Sequence, residues 1–72
     1  MKIEYDPVHD LLNLEFLPGV AIEESVEMDG VIFDYAKDRR IVAIEILDAS
    51  KRTTQDPLNH IDVSIVRQAV KP

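Results

Sequence analysis

Asp34 and Glu45 are the pair of residues in this chain whose types and spacing come nearest to chemistry. They sit in the stretch GVIFDYAKDRRIVAIEILD, Gly30 to Asp48, where two apolar runs flank Lys37-Asp38-Arg39-Arg40. Folding the chain back at Asp38-Arg39 opposes Tyr35 with Val42, Phe33 with Ile44 and Val31 with Ile46. Strand side chains alternate between faces, so those six form one apolar face. Ile32, Asp34, Ala36, Ile41, Ala43 and Glu45 share the other, with Asp34 and Glu45 diagonal to each other. Two carboxylates held together can run acid–base chemistry when burial separates their pKa values. A catalytic site also needs a nucleophile, an oxyanion donor or a phosphate cradle. None is visible here, and the only glycines are Gly19 and Gly30. The chain reads as non-enzymatic, with Asp34 and Glu45 marking a candidate functional face.

Other polar groups offer less. His9 and His60 are far apart in the sequence, and cysteine is absent, so no spacing fits a zinc site. Asp6, His9 and Asp10 could form a weak cation site, although an ordinary solvated turn explains them as well. The acids of EESVEMD lack the spacing of a calcium loop. The reading is therefore of a chain without metal or cofactor.

Charge points instead toward a partner. Residues 1–34 carry nine acids against Lys2, whereas residues 35–72 carry seven bases and five acids, giving −6 in total. That balance argues against nucleic acid, whose phosphates require a basic footprint. Glu23, Glu24, Glu27 and Asp29 concentrate the negative charge and are candidate residues for binding a basic protein. A solvated acidic surface that maintains solubility is the plainer account of the same residues.

The elements that position these groups follow from alternation. Ile3 and Tyr5 read as a short strand, Asp6–Asp10 as a turn, and Leu12, Leu14 and Phe16 as a second strand. Pairing Tyr5 with Leu12 and Ile3 with Leu14 joins their apolar sides. Leu17-Pro18-Gly19 ends this hairpin. Val20–Met28 reads as an edge strand whose acids discourage aggregation, although Ile22 and Val26 also fit a helix. Asp48 could cap a helical turn through Ala49–Arg52. Asp56-Pro57 could start another at 56–60, followed by a strand over His60–Ile65; helix and strand both stay open for 58–70. The fold class is α+β: one domain, 1–72, with a small, mainly antiparallel sheet of four to six strands built from hairpins and one or two short helical turns.

A chain of 72 residues buries only about 60 % of its unfolded surface, which makes a lone core marginal. With no disulfide available, a homo-oligomer or a protein partner is the expected source of further burial. No apolar run reaches the roughly 20 residues of a membrane span. The charged start, MKIEYDPVHD, does not read as a signal peptide, and the expectation is a cytoplasmic protein.

Tyr5-Asp6-Pro7, Asp10-Leu11, Gly30–Tyr35 and Ile44–Arg52 (IEILDASKR) resemble the family called domain of unknown function 2283 over about residues 1–52. The chain departs from that pattern at Val8-His9, where acidic and small residues are usual, and at Asp38-Arg39, where Asp-Gly is the usual turn. Arg39 in place of glycine suggests a longer loop. The family has no assigned activity. Some members are thought to be encoded beside small toxin-like proteins, so the resemblance implies an antitoxin-like role, masking a basic partner. A small-ligand or metal-binding protein is the alternative.

Overall fold

The computed structural model describes residues 1–53 and 60–68. Five strands form one antiparallel sheet: β1 (Lys2–Asp6), β2 (Leu11–Glu15), β3 (Glu24–Met28), β4 (Val31–Tyr35) and β5 (Ile41–Leu47). A single turn of helix, α1 (Ala49–Arg52), follows. The spatial order is β1-β2-β5-β4-β3, so β5 is central and β1 and β3 are the edges.

The first hairpin has the register that alternation demands, with Ile3 opposite Leu14 and Tyr5 opposite Leu12. In the second, Val31 opposes Ile46 and Phe33 opposes Ile44 as expected, but Tyr35 faces Ile41 and not Val42. The reason lies in the turn. Arg39 donates its backbone N–H to the Ala36 carbonyl (2.9 Å), and Ala36 donates to the Arg40 carbonyl (2.8 Å). Arg39 takes a positive φ of 73°, completing a three-residue loop, Lys37-Asp38-Arg39, of the kind that ends in a left-handed residue. An odd loop shifts the pairing by one residue, and a bulge at Val42 restores it before Ala43. Arg39 then lies over the Tyr35 ring, 4.3 Å from its centroid. The β3–β4 turn, Asp29-Gly30, has positive φ at both positions (51° and 77°), as a two-residue hairpin turn requires.

Pairing of β2 with β5, Leu12 opposite Ile46 and Leu14 opposite Ile44, extends the apolar face across the sheet. Ile3, Leu12, Leu14, Val31, Phe33, Ile44 and Ile46 share it, and all are only half-buried. The expectation that Phe33 and Ile44 oppose one another holds; the expectation that their face forms the enclosed core does not. The most buried residues are Asp34, Ala36, Val42, Ala43 and Ala49. Leu17 and Val20, from the β2–β3 connection, pack against Ala36, Val42 and Ala43. Phe16 and Leu17 anchor that connection by donating their amides to the Val42 carbonyl (2.8 and 3.2 Å). The connection thus covers part of the polar face and leaves the apolar one open.

Asp48 does not cap α1 with its side chain; it takes a left-handed conformation, φ 52°. Residues 60–68 carry neither helix nor strand and are exposed throughout, so the strand expected over His60–Ile65 is not formed. An alternating segment becomes a strand only when an edge pairs with it, and these residues pair with no described strand. The helical turn expected at 56–60 falls almost wholly outside the described residues. No helix among the described residues is long and apolar enough to cross a membrane.

Candidate functional site

Ser25, Asp34 and Glu45 come together on the polar face because β3, β4 and β5 are consecutive neighbours. Ser25 is directly opposite Asp34, and Glu45 is one diagonal step away, since it faces Ile32 while Asp34 faces Ala43. Asp34 is 2 % exposed. Its Oδ1 accepts a hydrogen bond from the Ser25 hydroxyl at 2.6 Å. A hydrogen bond with Asp34 is the main reason the Glu45 carboxyl is pushed up to about 7, with burial and the Asp34 charge adding to it. Glu45 therefore keeps its proton to higher pH than a free carboxyl, and that proton lets two neighbouring carboxyls coexist. The sequence placed this pair on one face; it gave no sign of Ser25, which becomes visible only once β3 is registered against β4.

Around this pair the polar face forms an open cleft of about 440 Å³. Glu4 and Glu15 line it from β1 and the end of β2, with Asn13 between them, and Val20 and Ile22 form an apolar lip. Carboxylates from four strands thus face one concavity, an arrangement that favours cationic over anionic ligands. Among the described residues no group of three or more acids and histidines has the geometry to hold a metal ion.

The second set of candidates lies apart, on the β3 edge. Every residue of β3 is exposed. Glu24 pairs with Arg39 and Asp29 reaches Arg52 at 3.4 Å, so two of the four acids have basic neighbours within the chain. Glu23 precedes the strand and donates its amide to the Tyr35 carbonyl (2.7 Å). Glu27 faces the same side as Ser25. The outer backbone edge of β3 pairs with no described strand.

The Asp6/His9/Asp10 turn does not converge on a cation. Asp6 Oδ1 accepts from the amides of Val8 and His9 (2.9 and 3.2 Å), and its Oδ2 meets His9 Nδ1 at 2.6 Å. The His9 side-chain and backbone bonds hold the Asp6 carboxyl below its ordinary range. Asp10 turns elsewhere. Its Oδ1 accepts from the Tyr5 hydroxyl (2.7 Å) and the Ser50 amide (3.0 Å), its Oδ2 from the Ser50 hydroxyl (2.7 Å), and its carbonyl from the Ala49 amide (3.0 Å). The Ser50 hydroxyl, then Tyr5, lower its pKa. Asp10 thus supplies the helix cap expected of Asp48, from 40 residues away.

Beside it, a Cβ on Gly30 would lie 2.5 Å from the Arg52 guanidinium, and the Gly30 carbonyl accepts the Leu47 amide (2.9 Å). Tyr5, Asp10, Gly30, Ala49, Ser50 and Arg52 therefore form one structural lock at one end of the sheet. These are among the residues that carry the family resemblance, and their work here is to hold the fold together.

A protein of Methanosarcina mazei named "Putative hypoxanthine phosphoribosyltransferase" is 39 % identical over 51 residues, covering 71 % of this chain and 41 % of that protein. The chain thus spans well under half the length of that relative. No solved structure matches the chain. The family model described as "Protein of unknown function (DUF2283)" matches residues 2–50, a span that takes in all five strands and the lock except Arg52, and the chain belongs to that family.

Proposed function

We propose that this chain is a non-catalytic protein-binding module whose contact strand is the acidic edge β3, adding to the sheet of a basic partner in the manner of an antitoxin that masks its toxin. The observation that carries this reading is the state of β3: an edge strand, exposed at every residue, bearing Glu24 and Glu27 beside Val26 and Met28. Strand addition uses the free backbone edge for affinity and alternate side chains for selection. The acids would speed encounter with a basic surface, so association should slow as salt rises.

The test is recovery of partners from the native host by the full chain and by a Glu23→Gln, Glu24→Gln, Glu27→Gln variant at matched salt. A stoichiometric basic protein held by the first, lost from the second and released by salt supports the reading. Equal recovery by both, or no stoichiometric protein, overturns it.

The cleft of Asp34 and Glu45 favours a second reading, a binding site for a small cationic ligand. Titration with a diamine, followed by the resonances of Ser25 and Ala43, tests it; unchanged resonances at millimolar diamine would end it. The same cleft gives no support for carrying over phosphoribosyl transfer from the relative's name. Its carboxylates would repel a pyrophosphate, and no glycine-rich phosphate cradle exists in the sequence.

A further inference from the structure

Two apolar features have no counterpart among the described residues. One is the sheet face of Leu12, Leu14, Phe33, Ile44 and Ile46, half-buried at every position. The other is the segment 60–68, in which Ile61, Val63, Ile65 and Val66 are 50 %, 63 %, 76 % and 82 % exposed. Alternation would put Ile61, Val63 and Ile65 on one side of an extended arm. Among the described residues, no large side chain is fully buried. The radius of gyration is 14.6 Å, against about 11 Å for a compact chain of this length.

Charge decides which face could meet a second copy. Each copy carries −6, and the polar face gathers Glu4, Glu15, Asp34 and Glu45 in one cleft, so polar faces would repel each other. The centre of the apolar face has no charged residue. Five strands about 4.8 Å apart, each of about five residues at 3.4 Å, give the sheet a face of roughly 400 Å². A stable interface removes about 800 Å² from each partner. The face alone falls short, and an arm of this length, reaching about 30 Å when extended, supplies further apolar area.

We propose that a second copy of this chain covers the apolar face: two sheets pack face to face as a β-sandwich, and the arm of each, residues 60–68, closes over the other. Such an interface is isologous, each copy giving and receiving the same contacts. It needs the face of the sheet and not the outer backbone edge of β3, so either proposal can fail without the other.

Sedimentation equilibrium of the full chain from micromolar to millimolar concentration tests the pairing. The expected mass is twice the 8.2 kDa of one chain; a single-chain mass throughout that range overturns the proposal. Val63→Asp with Ile65→Asp alters exposed positions outside the sheet, so the fold remains while the pair loosens. Each change counts twice across a two-fold axis, and dissociation should strengthen more than about a hundredfold. Unchanged affinity would remove the arm from the interface and overturn the exchange. A mixed sample of isotope-labelled and unlabelled chain then locates the contact. Intermolecular contacts from Phe33 and Ile44 are expected. A pair joined only through the edges β1 or β3, or an arm that contacts only its own sheet, overturns the proposal.

Discussion

The two faces of the sheet reverse the usual relation between hydrophobicity and burial. The apolar face holds most of the large side chains, yet none of them is buried; the polar face holds Asp34, Ala36, Val42 and Ala43, which are nearly inaccessible. Alternation decides which side chains share a face, but a covering element decides whether that face is enclosed. Here the cover is Leu17 and Val20, held in place by the Val42 carbonyl. Small residues beneath it let the connection approach closely, and the buried Asp34 carboxyl accepts a hydrogen bond from Ser25. The difference teaches that an apolar pattern fixes which residues share a face and not whether that face is enclosed.

Mutations can break that contrast. Val42→Ala, on the enclosed face, should cost about 2–3 kcal/mol from lost burial and the cavity left behind, independent of protein concentration; urea unfolding at two concentrations checks both statements. Phe33→Ala, on the open face, should cost the dilute single chain only about 1–2 kcal/mol, because part of the ring is already in water. If a partner covers that face, its cost should rise with concentration toward the 3–5 kcal/mol of a fully buried aromatic. A large, concentration-independent loss for Phe33→Ala would erase the distinction between the faces.

The carboxyl pair gives a smaller effect with a definite sign. Glu45 is pushed up from 4.5 to about 7 in the folded chain, so the folded state holds a proton that the unfolded state releases. Its contribution to stability is complete below about pH 4.5 and is lost as pH rises through 7. Urea midpoints should therefore fall across that window, and Glu45→Gln, which keeps a hydrogen-bond donor, should flatten the fall. An identical slope in the variant would show that Glu45 does not hold the proton. The smallest effect belongs to the β3 edge: Glu23→Gln, Glu24→Gln and Glu27→Gln together should shift stability by no more than about 0.5 kcal/mol, measured by thermal unfolding.

Much of the sheet is legible in the residues themselves. Ile3, Tyr5, Leu12 and Leu14 state their register, as do Val31, Phe33, Ile44 and Ile46, because a slip by one would move every apolar group to the wrong side. The diagonal approach of Asp34 and Glu45 follows from that register. What stays hidden depends on contacts distant in sequence. Val42 cannot be read as a bulge until the three-residue loop is known, and Ser25 cannot be joined to Asp34 until β3 is registered. Asp10 looks like a turn residue, and Asp48 looks like a helix cap. The left-handed backbone at Asp48 removes its side chain from that task, and the β2–β5 pairing delivers Asp10 in its stead.

That long reach has a kinetic consequence. Strands β3, β4 and β5 are joined by tight turns and can meet early, as can β1 and β2. Joining the two groups requires β2 to find β5, which closes a loop from Leu11 to Leu47 and carries the larger entropic cost. The bonds from Ser50 to Asp10 form only when that docking is complete. Ser50→Ala should then leave the refolding rate nearly unchanged and accelerate unfolding, since an interaction made after the transition state shows itself mainly in escape from the native state. The residues that mark the family most clearly would thus set how long the finished sheet persists, and contribute little to how quickly it is found.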